Sequence, residues 1–375
     1  MLPRRHRRRG NSIIKQVKAL GTYSKHKEYS LIAALVAGIA LIFLSNTTNI
    51  TIVVILNILA ISSILYSAFS VVRHADVLAH RFGEPIGSLI LTLSIVVLEV
   101  SLISILMLSG SAGAALMRDT LYSIVMIVMA GLAGTAMLLG GYKYKNLYFN
   151  FKGINHFLIS IIPLAIIVMV IPAALGGTYT MAQLFILAFI CLALYIVFLV
   201  IQTKTHTKFF IYEDEDDDGQ HHGKPSPHSN AWHFTFLVIH LIAVIGITKL
   251  NASSLEYLFV KLNIPMALKG TIIAMLTLSP EGLGAISSTL RNQTQRSMNL
   301  LLGSVVATIS LTVPIVVLIA AFTGQQLILG LEIPAIILLL CTLMVSQTSL
   351  TGGKTNTHSG TVHLVLFIIY IMLLF

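Results

Sequence analysis

Two apolar stretches, Gly87-Ser-Leu-Ile-Leu-Thr-Leu-Ser-Ile-Val-Val-Leu-Glu99 and Ile272-Ile-Ala-Met-Leu-Thr-Leu-Ser-Pro-Glu281, each end on a glutamate within a segment of membrane-spanning length. A carboxylate in hydrocarbon is costly and rarely persists without a task. The tetrapeptide Leu91-Thr-Leu-Ser94 recurs as Leu276-Thr-Leu-Ser279, shifted by three residues relative to the glutamates. The pair therefore reads as two related sites in two related halves of one chain.

Composition fixes the class around these sites. Of 375 residues, 56% are hydrophobic and 10% charged, and the mean hydropathy is +0.89, more apolar surface than a soluble core hides. Apolar runs of roughly 20 residues match the length an α-helix needs to cross a bilayer, whereas a barrel would alternate in shorter strands. Eleven spans are expected, at about 29–45, 50–72, 86–109, 120–141, 154–173, 180–202, 233–249, 266–289, 299–322, 333–349 and 361–375.

The expected fold is thus an all-α polytopic membrane protein of about eleven transmembrane helices. Residues 1–49 hold a basic segment and a first helix, 50–202 a five-helix repeat, 203–231 an acidic linker, and 232–375 a second five-helix repeat. Because five is odd, the second repeat enters the membrane from the opposite side, the inverted arrangement common in secondary transporters. Glu99 and Glu281 then lie in the second helix of each repeat, near mid-membrane.

Basic residues set the orientation. With the Arg-rich start inside, all but four of the 24 Lys and Arg residues face the cytoplasm; Arg118, Lys249, Lys261 and Lys269 fall outside. The C-terminus is then periplasmic. No small-residue cleavage site follows Ser45, so the first span is read as an anchor. The net charge of +10 reflects the lipid bilayer and topology and not nucleic acid.

The chemistry follows from desolvation. Each glutamate must hold either a proton or a cation, since a bare carboxylate at the bilayer centre is disfavoured by several kcal/mol. Proton and metal compete for the same oxygens, and that competition couples their movement if only occupied sites reorient. Two carboxylates balance a divalent charge, but Ca²⁺ takes six to eight oxygens. Thr92, Ser94, Thr277 and Ser279 are candidate hydroxyl ligands, with Asn57, Ser62 and Ser63 further out. Pro280 lacks an N–H, which frees the Leu276 carbonyl, and Gly282 and Gly284 are expected to loosen that turn. The same hydroxyls can instead bond their own backbone or pack between helices.

Other polar residues have two readings. Glu84 at the mouth of the third helix attracts cations or favours a helix N-terminus, and His240 relays protons or is a neutral core histidine. The run Glu213, Asp214, Glu215, Asp216, Asp217 and Asp218 is regulatory or a solvated linker; it lacks the spacing and turn glycine of an EF-hand. Gly131, Gly134, Gly140 and Gly141 give the fourth span a small-residue face for close helix approach.

Several stretches resemble a known family. Gly83-Glu-Pro-Ile-Gly-Ser-Leu-Ile-Leu-Thr-Leu, Met117-Arg-Asp-Thr-Leu-Tyr-Ser-Ile, Leu278-Ser-Pro-Glu-Gly-Leu-Gly-Ala285, Gln295-Arg-Ser-Met-Asn299 and Ala307-Thr-Ile-Ser-Leu-Thr-Val-Pro314 resemble the bacterial ChaA-type cation/proton antiporters of the cation/Ca²⁺ exchanger superfamily. The likeness covers nearly the whole chain. It implies exchange of Ca²⁺, and Na⁺ or K⁺, for H⁺ across the inner membrane, and a first helix followed by two inverted five-helix halves. The calcium/proton branch reads Gly-Asn-Ala-x-Glu at both sites. Here Ile95-Val96 and Thr277-Leu278 stand in place of Gly-Asn, which removes two amide ligands.

No HExxH, phosphate loop, GxSxG or Cys-His pairing occurs, so neither an enzyme nor a cofactor is expected; the ions handled are Ca²⁺, Na⁺ or K⁺, and H⁺. A passive cation channel also uses carboxylates, and a regulatory membrane protein would signal through the acidic linker. Oligomeric state, stoichiometry and the preferred cation are open at this level.

Overall fold

The computed structural model describes residues 28–44, 47, 49–82, 86–108, 114–211 and 227–375. Among them run eleven long helices: α1 (Tyr29–Leu44), α2 (Ile50–Phe82), α3 (Ile86–Leu108), α4 (Leu116–Tyr144), α5 (Phe151–Ala174), α6 (Met181–Thr205), α7 (Asn230–Lys261), α8 (Met266–Leu290), α9 (Thr294–Thr323), α10 (Ile333–Leu350) and α11 (Thr357–Leu373). Seven of these are long and apolar enough to cross a membrane, and α1, α3, α8 and α11 contain shorter apolar stretches. All eleven expected spans are therefore present as helices.

The ends differ most from hydropathy in two places. Helix α2 continues ten residues past the expected end at 72, and α7 twelve past 249. Hydropathy falls there because polar side chains enter the helices, but those side chains have partners. Arg296 pairs with Asp76 at 3.1 Å, and Arg81 donates to Asn230 at 2.6 Å.

Start signals are local and conventional. Thr180 and Gln183 form a reciprocal capping box at α6, and Asn150, Ser229 and Asn356 cap α5, α7 and α11, each satisfying an orphan N–H of the first turn. Gly324 closes α9 at φ +70°, a left-handed position that suits a residue without Cβ. Helix α4 carries a π-helical stretch at Met126–Leu132.

Packing is reciprocal between the halves. Helix α3 lies on α9 as α8 lies on α4; α7 meets α3 as α2 meets α8; α6 covers α9 as α11 covers α4. Swapping α2–α6 for α7–α11 maps each of these contacts onto its counterpart, as an inverted repeat requires. Helices α4 and α9 form the middle, with α9 buried around its circumference from Leu300 to Val317 except at Leu311, Pro314 and Ile315.

The connecting loops sort onto two faces. On one, β1 (Asn146–Tyr148) pairs antiparallel with β2 (Lys354–Asn356), Leu147 opposite Thr355. On the other, Ile328 N–H donates to Ala114 at 2.9 Å, and Leu329 and Gly330 N–H groups both donate to Gly177. Gly330 also receives Arg118 at 3.0 Å. These bonds fix which loops share a side.

The glycine face of α4 is used as expected. A Cβ at Gly131 would meet Phe367, at Gly134 His363 Cβ at 3.0 Å, at Gly140 Leu147 at 2.9 Å, and at Gly141 the Thr357 nitrogen at 2.5 Å. Gly360 of α11 answers from the other side, where a Cβ would press on the backbone of Leu138. Gly360→Ala is expected to cost about 1–3 kcal/mol through overpacking and to lower the melting temperature in detergent. Gly246→Ala on α7, with nothing within 4 Å, is expected to leave it unchanged or raise it through about 0.5–1 kcal/mol of helix propensity.

Candidate functional site

Glu99 and Glu281 are both buried, with 0% and 3% exposure. Glu99 sits on α3 and Glu281 on α8, two helices that contact each other. Helix α9 packs against both helices. Thr308 of α9 donates to Glu99 Oε2 at 2.6 Å, a short charge-assisted geometry. One turn earlier, Ser304 directs its hydroxyl toward Glu281, though neither Glu281 oxygen has a partner of regular hydrogen-bond geometry. Three of the four carboxylate oxygens, Glu99 Oε1 and both of Glu281, thus lack a hydrogen-bond partner among the described residues. Oxygens so buried are costly unless a proton or a cation joins them.

The site that forms is therefore two acidic side chains from opposite halves facing one hydroxyl-bearing helix. Ser304 and Thr308 escaped the sequence reading because they lie in the helix after each glutamate helix in chain order, yet α9 serves the glutamates of both halves. For Thr308 the signal was present in the run Ala307-Thr-Ile-Ser-Leu-Thr-Val-Pro314, whose three hydroxyls are all buried; Ser304 lies ahead of that run and has no comparable signal.

The expected ligands take different positions. Ser94 donates to Ile90 O at 2.7 Å, Thr277 to Ala274 O at 3.1 Å and Ser279 to Met275 O, so each spends its proton on its own helix. Thr92 lines a small crevice with Gln202 and Asn299. Asn57 is engaged by α7, donating to Ser254 at 3.0 Å and accepting from Asn251 at 3.1 Å. Ser63 is buried with an unpartnered hydroxyl, while Ser62 is exposed.

The expected loosening around Leu276 is corrected. Helix α8 runs unbroken from Met266 to Leu290, through Pro280, Gly282 and Gly284. Gly282 serves packing instead, since a Cβ there would come within 2.7 Å of Leu132 on α4. The missing Pro280 N–H still leaves the Leu276 carbonyl without its usual helical donor. Glu84 and the acidic run Glu213–Asp218 lie outside the described residues.

Two of the quoted motifs have structural work. Gln295 accepts from Asn150 N–H at 2.7 Å and donates to Asn299, which in turn donates to Phe210 O at 2.7 Å, so the segment stitches loops together. On the opposite face, Arg118, Asp119, Tyr122, Ser123 and Tyr370 line a cavity of about 180 Å³. Tyr370 bridges Ser123 at 2.8 Å and Thr271 at 2.6 Å, and the buried Asp119 Oδ2 and Tyr122 hydroxyl have no hydrogen-bond partner.

His240 is not beside the glutamate pair's hydroxyls but bonds Glu28, just ahead of α1, at 3.0 Å. Arg73 reaches the same Glu28 oxygen at 2.6 Å. Burial alone would push the Glu28 carboxyl up, but the His240 hydrogen bond and the fields of Arg73 and His74 outweigh it and hold it below its ordinary value.

Comparison with known proteins agrees with this architecture. The family model for the sodium/calcium exchanger protein matches residues 52–204 and 232–375. The chain is 53% identical over 356 residues to the sodium-potassium/proton antiporter ChaA of Escherichia coli (strain K12), covering 94% of this chain and 97% of that one. It is 35% identical over 312 residues to y4hA of Sinorhizobium fredii, covering 82% and 85%. Among solved structures, native YfkE superposes with a TM-score of 0.71 at 18% identity, over 92% of this chain and 99% of YfkE. The H⁺/Ca²⁺ exchanger CAX superposes at 0.65 and 15% identity, over 92% and 89%; these two share the fold. With two mirrored halves, a buried glutamate in each and a family match across both, the chain belongs to the sodium/calcium exchanger family.

Proposed function

We propose that the protein is a secondary antiporter that exchanges cytoplasmic cations, Na⁺ or K⁺ and also Ca²⁺, for external protons across the bacterial inner membrane. Glu99 and Glu281 alternately hold cation and proton. One observation carries the reading: two buried carboxylates, one from each inverted half, have three oxygens without partners beside a single hydroxyl-bearing helix. Such oxygens need a positive charge or a proton at all times. The name of the 53% identical relative, a sodium-potassium/proton antiporter, supports monovalent cargo. So does the replacement of the Gly-Asn pairs by Ile95-Val96 and Thr277-Leu278, which removes two amide oxygens from the six to eight that Ca²⁺ takes and so weakens selectivity for it.

Coupling follows from occupancy. A vacated, doubly charged site is the high-energy state, so reorientation with neither ligand bound is suppressed, and a leak through it costs the desolvation of two carboxylates. With a cation bound, Glu99 keeps the Thr308 hydroxyl as a fixed donor, and Ser304 offers its oxygen from one turn away. With protons bound, the carboxyls become donors in their turn. Helix α9 thus accepts either load without repacking.

Proteoliposomes loaded with Na⁺ or K⁺ test this directly. An outward cation gradient is expected to acidify the lumen in the wild type, and Glu99→Gln or Glu281→Gln to abolish that signal while leaving the protein folded. Current without obligatory proton uptake would instead indicate a channel.

Competition has a defined pH signature. For one proton displacing one cation, the half-saturating cation concentration rises about tenfold per unit fall in pH on the cation-binding side, while the maximal rate extrapolated to saturation changes little. Thr308→Val removes one oxygen from the cation's surroundings and a bond worth about 1.5–3 kcal/mol. It is expected to raise half-saturation by about tenfold or more, and Thr308→Ser to restore most of it.

A further inference from the structure

A second cluster of ligating side chains lies on the face where α1 begins, α2 ends and α7 begins, away from the Thr308 and Ser304 hydroxyls. Glu28, His74 and His240 each offer one ligand atom, and these atoms lie within 4.8 Å of one another. His74 is 1% exposed, His240 0% and Glu28 11%. His240 Nε2 lies 3.0 Å and His74 Nε2 3.5 Å from the same Glu28 oxygen. Ligands spaced at about 3.3 Å are what a tetrahedral zinc with bonds of about 2.0–2.1 Å demands.

Two neighbours compete for His74 Nε2: Glu28 Oε2 at 3.5 Å, which can only accept, and Arg73 Nη2 at 3.4 Å, which can only donate. The Arg73 contact, which has hydrogen-bond geometry, favours that nitrogen as the acceptor. In that tautomer the ring proton sits on Nδ1 and is donated to His233 Nδ1 at 2.9 Å. His74 is thereby held with its Nε2 lone pair toward the cluster and its other nitrogen anchored behind, the outer-shell arrangement typical of metal-binding histidines. Trp232 and Phe236 pack against the same ring at 5.4 and 6.0 Å between centroids. Glu28 Oε1 is also buried without a hydrogen bond, so the carboxylate has a second oxygen to offer a metal.

The geometry points to a binding site for a zinc-class transition-metal ion formed by Glu28, His74 and His240, with His233 supporting His74. Arg73 supplies the positive charge for this cluster in the meantime. It is one-third exposed, on a flexible stem, and so can leave as a divalent ion arrives. Two imidazole nitrogens with one carboxylate suit zinc-class ions and not the hard, oxygen-seeking Na⁺, K⁺ or Ca²⁺, so this site is distinct from the transport site. The metal would tie the segment ahead of α1 to the first helix of each half, α2 and α7. Ser30 and Ser70, bonded at 2.8 Å, already join α1 to α2 nearby.

The test uses the full-length protein purified without a polyhistidine tag and titrated with Zn²⁺ against a competing chelator. One ion per chain is expected, not displaced by millimolar Ca²⁺ or K⁺, with an X-ray absorption spectrum of two imidazoles and oxygen. His74→Ala, His240→Ala and Glu28→Gln are each expected to weaken binding about tenfold to a hundredfold. Arg73→Met is expected to tighten it about tenfold, an effect no folding defect would produce. His221→Ala with His222→Ala in the linker is expected to leave it unchanged. No stoichiometric zinc, retention of full affinity in the three ligand variants, or weaker binding in Arg73→Met would overturn the assignment.

Discussion

Two carboxylates are taken out of water at the centre of this fold, and the rest of the molecule is arranged around that cost. Charged groups in a low-dielectric interior survive only with partners. Here the protein supplies too few of its own: one firm hydrogen bond from Thr308 and the approach of Ser304, against four oxygens. In the proposed antiport, that shortfall is what makes the site responsive to ions. A fully satisfied pair would be a structural bridge between halves and would have no need of cargo.

The inverted repeat explains why the shortfall is balanced. Helix α9 belongs to the second half but contacts the glutamate helix of each, and its Ser304 and Thr308, one turn apart, meet one glutamate apiece. Its counterpart α4 is packed by α8 and α11 through a face of glycines, which brings backbones close enough that a single added Cβ would collide. Close approach of α4 and α11 by small residues and polar contact at α9 thus divide two tasks between equivalent helices.

Much of this was legible in the sequence because the bilayer simplifies the code. Twenty apolar residues must be a helix, so eleven spans and their repeat could be read directly, as could the two misplaced glutamates. Helix ends were less legible where polar residues such as Asp76 and Arg81 found partners in α9 and α7, since pairing is a property of the fold and not of a window of sequence. The hydroxyl partners failed for the same reason. Ser94, Thr277 and Ser279 adjoin the glutamates in sequence but bond their own helices, whereas Thr308 is 209 residues from Glu99 and touches it. Glu28 carries no signal in the sequence, because its partners His74 and His240 come from two distant helices.

The short β1–β2 ladder has a mechanical consequence. It joins a loop of the first half to a loop of the second, and the neighbouring Gly141 seats against Thr357 without room for a side chain. On that face the two halves are sewn together along one seam. In the proposed alternating access, parting of the halves there would have to break this ladder, whereas a swing about the stitched edge would keep it.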